Sequence, residues 1–398
     1  MSRAPDAIVV GGGLIGCLAA RALADDGRRV TLFERGAELG RKASTAAAGM
    51  LSPQMEWAED LLVEGADDLA RRTDAMLDLG IAARGRWPAF AAALEAETGR
   101  RLHYRDEGTL VVALTDEEAA ELEARARTQR RRGLRAEWLE PGRVQELEPG
   151  IAGAALGALY IPDDRQVDPL PLMAAAGEAL AARPGVRIEI GTTVRAIVSA
   201  GGRVTGVAIE GGTAGERGTA EAELVVLAAG AWSAGIAGLP RPLAVRPVKG
   251  QMAALRPAAM PIRHVVGGRG AYCVPRDDGR IVVGATVEDA GFDERVDPAA
   301  VEALIRAAAA AVPALAAAPV ESRWAGLRPG TADDLPVLGE DPELAGLLYA
   351  TGHYRNGILL APLTAEIVAA LARGDDPPVD TIPFSPARAG LEEPASRQ

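Results

Sequence analysis

The sequence opens with an apolar run that breaks into regularly spaced glycines. Ala7–Val10 is rich in Ile and Val, which is typical of a buried β-strand. Gly11, Gly13 and Gly16 follow, and an alanine-rich helical pattern continues to Asp25. In this spacing the first glycine makes a tight turn, the second lets backbone approach a pyrophosphate, and the third lets the helix pack closely on the strand. The helix N-terminus also favours phosphate binding, so the pattern predicts a dinucleotide-binding unit.

An acidic residue follows at the distance expected for a ribose contact. Residues 29–33 form a second short apolar strand that ends at Glu34. In dinucleotide-binding folds, an Asp or Glu roughly 20 residues after the glycines binds the ribose hydroxyls. The glycine pattern alone is a weak signal. Between two strands and with Glu34 in place, it strongly indicates an ADP-containing dinucleotide.

A second buried strand also ends in small residues. Residues 222–227 include a continuous apolar run, and Ala228, Ala229 and Gly230 come directly after them. Small residues permit a close approach of backbone to a flat ligand. FAD proteins with a dinucleotide-binding fold of this kind use two such strand ends. This second motif therefore favours FAD over NAD.

Residues 40–53 form a long segment of small residues that is neither a good strand nor a good helix. Its hydroxyls at Ser44 and Thr45 can donate hydrogen bonds to phosphates, and its alanines allow close contact with a flat ligand. We interpret the segment as a loop along the cofactor. The alternative is an ordinary loop of glycine and alanine.

The bulk properties exclude several classes of function. The 398 residues carry a formal net charge of −12, which argues against nucleic acid or an anionic membrane as a partner. The cysteines, Cys17 and Cys273, and three scattered histidines offer no metal-binding spacing. The sequence shows no signal-peptide pattern and no uninterrupted apolar stretch of about 18 residues, so we expect a cytoplasmic protein. The length favours two domains.

Local patterns predict most helices and strands. Capping residues mark helix starts at Thr115, Asp168 and Asp297. A helical pattern over residues 60–90 is expected to break at Trp87-Pro88, and residues 277–279 predict a hairpin turn. Strands are predicted over residues 108–114, 186–190, 193–198, 203–209, 222–227, 256–266, 272–275 and 280–286, and a strand, a turn and a helix start over 347–362.

Several of these segments together resemble the D-amino acid oxidase superfamily of FAD-dependent amine oxidases, and within it the glycine oxidases of bacterial thiamine (thiazole) biosynthesis. The glycine turn is common to many flavoproteins. The strings WAGLRPGT at 324–331 and GHYRNGILLAP at 352–362 are much more specific. The matching pieces follow in order over nearly the whole chain: 11–16 with Glu34, 44–51, 247–251, 272–276, 284–286, 324–331 and 352–362.

The resemblance implies an α/β fold of the D-amino acid oxidase/glutathione reductase type. A Rossmann-like FAD-binding domain is expected from residues 1–85, 143–245 and 325–375. It is interleaved with an α+β substrate domain, residues 86–142 and 246–324, that is built on a mainly antiparallel sheet. Residues 376–398 are expected to form a peripheral tail.

The resemblance also implies non-covalent FAD and the oxidation of glycine, or another small amine, to its imine, with O2 reduced to H2O2. From glycine the imine is iminoacetate, which supplies the thiazole moiety of thiamine by hand-off to a thiazole synthase. A hydride passes to the flavin, so no acid–base residue is expected. The alternatives are a D-amino acid or sarcosine oxidase or dehydrogenase, and a non-catalytic FAD-binding protein. Homo-oligomerisation is left open.

The resemblance implies a role for each residue of this chain that matches a functional residue of the family. Arg328 matches the arginine that binds both oxygens of the substrate carboxylate, and Tyr272 matches a tyrosine that adds a second contact. Arg355 belongs to the segment that wraps the flavin and lines the substrate pocket. The expected cofactor-binding residues are Gly11, Gly13, Leu14, Ile15, Gly16, Glu34, Arg35, Ala43, Ser44, Ala48, Gly49, Met50, Val194, His353, Tyr354, Arg355, Asn356, Gly357, Ile358 and Leu359.

Two positions depart from some relatives. Val287 stands where a methionine lines the pocket, and Gly270 stands where a histidine does. The loss of a methionine removes bulk, so the pocket could admit a small side chain or an N-alkyl group. Lys249 stays without an assigned role: it could steer oxygen or cap a strand.

Overall fold

The structure, a computed structural model, describes residues 5–57, 67–211, 216–388 and 391. The helices of this part of the chain are α1 (Leu14–Asp25), α2 (Ala43–Ala46), α3 (Pro53–Glu56), α4 (Asp67–Thr98), α5 (Asp116–Arg131), α6 (Pro141–Leu147), α7 (Pro169–Ala181), α8 (Pro298–Ala311) and α9 (Gly357–Arg373), with 3₁₀ turns at Gly230–Gly235, Pro313–Ala317 and Ile382–Phe384. The strands are β1 (Ala7–Val10), β2 (Val30–Glu34), β3 (Met50–Leu51), β4 (Thr109–Ala113), β5 (Glu137–Leu139), β6 (Gly157–Ile161), β7 (Arg165–Gln166), β8 (Val186–Ile190), β9 (Thr192–Ala200), β10 (Arg203–Gly211), β11 (Glu216–Glu221), β12 (Leu224–Leu227), β13 (Arg246–Leu255), β14 (Val265–Gly268), β15 (Ala271–Pro275), β16 (Ile281–Gly284), β17 (Val320–Gly330), β18 (Val337–Glu340) and β19 (Leu347–Thr351).

A six-stranded sheet has the strand order β18-β19-β12-β1-β2-β8. Its pairs are parallel except that β18 runs antiparallel to β19. Because β1 and β12 are parallel neighbours, the glycine turn after β1 and the small residues after β12 meet at one edge of the sheet. That edge, at the carboxyl ends of the strands, is where such sheets bind ligands.

Strand β1 is buried on both faces. Ala7 and Val9 pack in a core with residues of α1, α4, α7 and α9, whereas Ile8 and Val10 pack with residues of the three-stranded sheet β11-β10-β9. Successive side chains of a strand point to opposite faces. The burial of both faces explains why the sequence of β1 is an unbroken apolar run.

The second large sheet has eight strands in the order β17-β13-β16-β15-β14-β4-β6-β5. Every neighbouring pair is antiparallel except β14 with β4. The hairpin predicted at residues 277–279 joins β15 to β16, with Gly279 at a φ of 89°. The expectation of a parallel nucleotide sheet interleaved with a mainly antiparallel sheet is confirmed.

The predicted helix break at Trp87-Pro88 is wrong. Helix α4 continues through Pro88 to Thr98. The Trp87 ring is fully buried and its Nε1 donates to the Leu359 oxygen at 2.9 Å. This packing against α9 holds the helix together across a residue that lacks a backbone donor. Residues 58–66, the start of the predicted helical pattern, lie outside the described residues.

The strand predicted over residues 256–266 is wrong for residues 256–264 and right only for Val265 and Val266. Strand β13 ends at Leu255, and β14 begins only at Val265. Pro257 and Pro261 interrupt the segment between them, and proline cannot donate to a sheet ladder. The preceding strand, β13, was missed because it contains a proline and a glycine of its own.

The predicted helix caps are confirmed. Thr115 Oγ1 accepts from the Glu118 N–H at 3.3 Å, and Asp168 Oδ1 accepts from the Leu170 N–H at 3.0 Å. Asp297 likewise accepts from the N–H of Ala299 at 2.9 Å. These bonds satisfy amide groups that a helix start leaves without partners.

The domain boundaries given above stay a proposal, since the sheets show only which strands pair. Strands of the eight-stranded sheet come from residues 109–161 and 246–330, so the chain passes repeatedly between the sheets. In the segment expected as a peripheral tail, Phe384 and Leu391 are buried and Arg388 forms an ion pair with Asp333 at 2.7 Å. The rest of that tail, residues 389–390 and 392–398, lies outside the described part.

Candidate cofactor and substrate site

The glycine turn leaves no space for side chains between β1, α1 and β12. Gly11 has a φ of 110°, and a Cβ there would lie 2.4 Å from the Ala228 oxygen. A Cβ on Gly16 would lie 1.9 Å from the Gly11 oxygen. Gly13 directly precedes Leu14, the first residue of α1, so the open N–H groups of the helix start border the cavity described below.

The Glu34 carboxylate is held by two backbone donors. Its Oε2 accepts from the Gly12 N–H at 2.8 Å, and its Oε1 accepts from the Gly36 N–H at 2.6 Å. A carboxylate oxygen has a second lone pair, so each can also accept from a ribose hydroxyl. The acid predicted from its spacing is therefore fixed in orientation at the end of β2.

The small-residue loop is tied to both sheets. Ser44 Oγ accepts from the Leu14 N–H at 2.9 Å, at the start of α1. From the eight-stranded sheet, Trp324 Nε1 donates to the Ala46 oxygen at 3.0 Å and buried Arg276 donates to the Ala48 oxygen at 2.5 Å. These bonds hold α2 and β3 between the two sheets, in the segment that was interpreted as a loop along the cofactor.

The far side of the cavity holds Arg328, on β17. Its Nη1 donates to the Thr286 oxygen at 3.1 Å. Its guanidinium lies over Gly250 of the neighbouring strand β13, where a Cβ would come within 2.3 Å of Nη1 and 2.4 Å of Nη2. Only a glycine at this position leaves the guanidinium its place, so Gly250 shapes the candidate carboxylate-binding site.

Tyr272, like Arg328, has its side chain over a glycine of a neighbouring strand. It pairs with Gly284 across β15 and β16, and a Cβ on Gly284 would lie 2.4 Å from the tyrosine hydroxyl oxygen. Burial raises the pKa of the Tyr272 phenol, although the positive charge of Arg328 opposes that effect. The phenol is therefore protonated at neutral pH and can donate a hydrogen bond to an anion.

The segment after β19 closes the cavity. His353 is buried, and burial lowers its pKa to about 3, so its ring is neutral at physiological pH. Its Nε2 lies 3.0 Å from Thr364 Oγ1 within the segment's own helix, α9. The guanidinium of Arg355 lies 5.1 Å from the Tyr354 ring centroid.

One cavity joins these parts. The predicted residues that line it are Gly11, Gly13, Leu14, Ile15, Glu34, Arg35, Ala43, Ser44, Ala48, Gly49, Met50, Val194, Tyr272, Arg328, His353, Tyr354, Arg355, Gly357 and Ile358. Gly16, Asn356 and Leu359 are not among its lining residues. Gly16 serves the packing of α1 on the turn, Asn356 precedes α9, and the Leu359 oxygen accepts from Trp87.

Sequence reasoning missed other lining residues, among them Lys42, Glu56, Trp232, Gly250 and Met252. Trp232 could have been predicted, because it follows the strand end at residues 229–230, which was expected to approach the dinucleotide. Lys42 lies in the segment 40–53 that was interpreted as a loop along the cofactor, although it was not named as a contact. Glu56, Gly250 and Met252 carry no local signal, because their place depends on which strands and loops meet.

Of the two positions that depart from some relatives, one lines the cavity and the other does not. Val287 lines the cavity and is 50% exposed, whereas Gly270 is not among the lining residues. Lys249 is buried outside the cavity lining, with its Nζ 3.6 Å from Glu288 Oε2.

The lining fits FAD. At the glycines of the turn, an added Cβ would occupy the space that backbone and cofactor need. The helix start offers amide donors, and the cations Arg35, Arg41, Lys42 and Arg195 suit a pyrophosphate.

Across the described ranges, no group of three or more His, Cys, Asp or Glu side chains could hold a metal ion. None of the helices in those ranges combines the length and apolar character that crossing a membrane requires.

Substituting Gly16 with alanine is expected to abolish stable FAD binding. The new Cβ would meet the Gly11 oxygen, a backbone atom, so the turn and α1 must separate. The ratio of flavin to protein after purification and the melting temperature measure the effect. Gly85→Ala, at an exposed position of helix α4 with nothing within 4 Å of its new Cβ, is the matched control. Normal flavin content in Gly16→Ala would contradict the assigned role of the turn.

Comparisons with known proteins agree with this geometry. A family model described as FAD dependent oxidoreductase matches residues 6–371. The glycine oxidase of Geobacillus kaustophilus is 39% identical over 393 residues, covering 98% of each chain. The crystal structure of glycine oxidase from Geobacillus kaustophilus superposes with a TM-score of 0.86 at 37% identity, covering 97% of this chain and 99% of that one.

A further relative is larger. The bifunctional protein ThiO/ThiG of Trichormus variabilis is 36% identical over 372 residues, which are 92% of this chain but 52% of that protein. This chain therefore spans about half the length of that relative. The resemblance to glycine oxidases of thiamine biosynthesis is confirmed. The chain belongs to the family of FAD-dependent oxidoreductases that contains these glycine oxidases.

Proposed function

We propose that this protein oxidises glycine to iminoacetate. Glycine gives up one of the two hydrogens on its α-carbon as a hydride, which carries two electrons, and one proton of its amine, and a C=N bond forms. O2 takes up the two electrons and two protons to give H2O2. FAD, when bound, supplies the two-electron oxidation and the reaction with O2.

The observation that carries the proposal is the pair Arg328 and Tyr272 on the cavity wall. Arg328 offers a planar, charged donor group that suits both oxygens of a carboxylate. The protonated Tyr272 hydroxyl, whose pKa is raised by burial, adds a neutral donor. Held by its carboxylate, a small amino acid keeps its α-carbon in a fixed place, which is the main contribution asked of the protein.

His353, at the segment that closes the cavity, is not proposed as a general base. His353 is neutral and its Nε2 contacts Thr364, so we assign it to packing beside the cofactor. Arg355, together with Tyr354, Gly357 and Ile358, is proposed to surround the flavin end of the cavity. The other predicted cofactor-binding residues that line the cavity are proposed to hold the rest of FAD.

Anaerobic bleaching tests the proposal. Purified protein is expected to lose its visible flavin absorbance on addition of glycine without oxygen, because the flavin is reduced, and to form H2O2 stoichiometrically when air is admitted. Sarcosine, D-alanine and L-alanine complete the panel. Bleaching without peroxide, but with reduction of an artificial acceptor, would assign a dehydrogenase. A flavin that none of these amines bleaches would favour a non-catalytic FAD-binding protein.

Val287 favours a second candidate within the same reaction class. Its side chain is half-exposed on the cavity wall and smaller than the methionine expected there. That space could accept the methyl group of sarcosine or of a small D-amino acid. A kcat/KM for sarcosine or D-alanine above that for glycine, in the same peroxide assay, would select this alternative.

We further propose that the imine is handed to a thiazole synthase in the cytoplasm. The fusion named ThiO/ThiG supports this, because its ThiO-like portion corresponds to this chain. If hand-off occurs, adding thiazole synthase is expected to lower the glyoxylate released per H2O2 formed. Unchanged glyoxylate release would count against it.

A further inference from the structure

A segment from the eight-stranded sheet lies against the wall of the cofactor cavity. We call residues 289–296 the clasp. Both ends of the clasp are anchored to β13: Glu288 exchanges two backbone hydrogen bonds with Lys249, at 3.0 and 2.9 Å, and the Asp297 N–H donates to Gln251 Oε1 at 2.6 Å. Between these anchors the clasp contains no helix or strand.

The middle of the clasp contacts Trp232 and Lys42, which lie in segments that follow strands β12 and β2 of the six-stranded sheet. The Phe292 ring stacks on Trp232, with centroids 5.4 Å apart and an interplanar angle of 25°. Glu294 Oε2 lies 2.5 Å from Lys42 Nζ. Trp232 and Lys42 both line the cavity, whereas Phe292 and Glu294 are not among its lining residues. The clasp therefore supports two lining residues from behind.

Trp232 also joins the clasp to the ribose-binding end of β2. The guanidinium carbon of Arg35 lies 3.6 Å from the Trp232 ring centroid, a cation–π contact. Burial lowers the pKa of Arg35, and the charges of Glu34 and Glu294 oppose that effect. Arg35 lines the cavity directly after Glu34. The wall beside Glu34 is thus a stack of Arg35, Trp232 and Phe292.

We propose that the clasp retains FAD, and that its opening is a step through which the cofactor leaves. Phe292 is 54% exposed, and the clasp has few buried contacts, which is typical of segments that open locally at low cost. When the clasp lifts, Trp232 and Lys42 lose their outer support while the substrate-binding pair on β15 and β17 keeps its place. This inference requires that the cavity hold FAD and is independent of which amine is oxidised.

The release rate of FAD tests the proposal. Phe292→Ala holoenzyme is expected to lose FAD about tenfold faster than the unchanged protein, since an aromatic pair contributes up to about that factor beyond burial. Phe292→Tyr, which keeps a stacking ring, should match the unchanged protein, and Phe292→Leu should fall between. Bound flavin is followed by absorbance after dilution and rapid gel filtration. With excess FAD, kcat and the KM for the amine should stay unchanged in all three variants.

Ile382→Ala is the matched control. It also removes an exposed apolar side chain, 79% exposed, and lies on the 3₁₀ turn Ile382–Phe384 outside the cavity lining. Equal release rates from Phe292→Ala and the unchanged protein would overturn the proposal. Equal acceleration by Ile382→Ala would do so too. A protein that releases FAD as expected but oxidises no amine would leave the clasp supported and the proposed reaction refuted.

Discussion

Arg328→Ala is expected to raise the KM for glycine about 100-fold or more while leaving the FAD content unchanged. A charge-assisted contact to a carboxylate contributes roughly 3 kcal/mol, which corresponds to about a factor of 100 in binding. Steady-state kinetics with peroxide detection, together with the flavin-to-protein ratio, measure both parts of the expectation.

Arg323→Ala is the matched control for this substitution. Arg323 lies on the same strand, β17, and is exposed, so removing its charge leaves the cavity intact. We expect kinetics close to those of the unchanged protein. An unchanged KM in Arg328→Ala, or an equal rise in Arg323→Ala, would refute the carboxylate-binding role.

Gly250→Ala is expected to raise the KM for glycine about tenfold or more although it adds only a methyl group. The new Cβ would lie 2.3 Å from Arg328 Nη1 and 2.5 Å from its Cζ. The guanidinium is the end of a flexible side chain, so it can move aside without unfolding the sheet. Its displacement would weaken the proposed bidentate contact with the substrate carboxylate, which depends on geometry.

The comparison with Gly268→Ala isolates this effect. Gly268 lies on β14 of the same sheet, and a Cβ there meets the Ala311 Cβ at an ordinary 3.8 Å. We expect it to leave the KM unchanged. A double-mutant cycle adds a sharper criterion: in an Arg328→Ala background, Gly250→Ala should change the KM little, because the group that it displaces is gone. If the KM effects of Arg328→Ala and Gly250→Ala were additive, Gly250 would not act through the Arg328 guanidinium.

The parts of the fold that the sequence predicts are those determined by short-range chemistry. The turn at Gly11 to Gly16 needs residues without side chains, and helix caps at Asp168 and Asp297 need an acceptor two residues before a backbone donor. Each requirement is met by neighbours in sequence. Such features can be read without knowing what packs around them.

The misses have a common physical cause. Helix α4 continues through Pro88 because Trp87 is buried against α9, far away in sequence. Gly250 and Gly284 matter because Arg328 and Tyr272 project over them from neighbouring strands. Nothing within a few residues of these positions indicates the contact. Arg328 and Tyr272 were predicted from the resemblance to a known family, and neither that resemblance nor local reasoning identified the glycines that make room for them.

The order of the cavity-forming segments has a consequence for how the protein is made. The turn at Gly11 lies near the beginning of the sequence, and the segment that closes the cavity, up to Ile358, comes after every strand of both sheets. Helix α9, which starts there, packs against α1 of that first turn. A nascent chain on the ribosome therefore carries the glycine turn long before it can enclose a flavin. Enclosure of the cofactor therefore has to wait until the chain has been synthesised as far as residue 358.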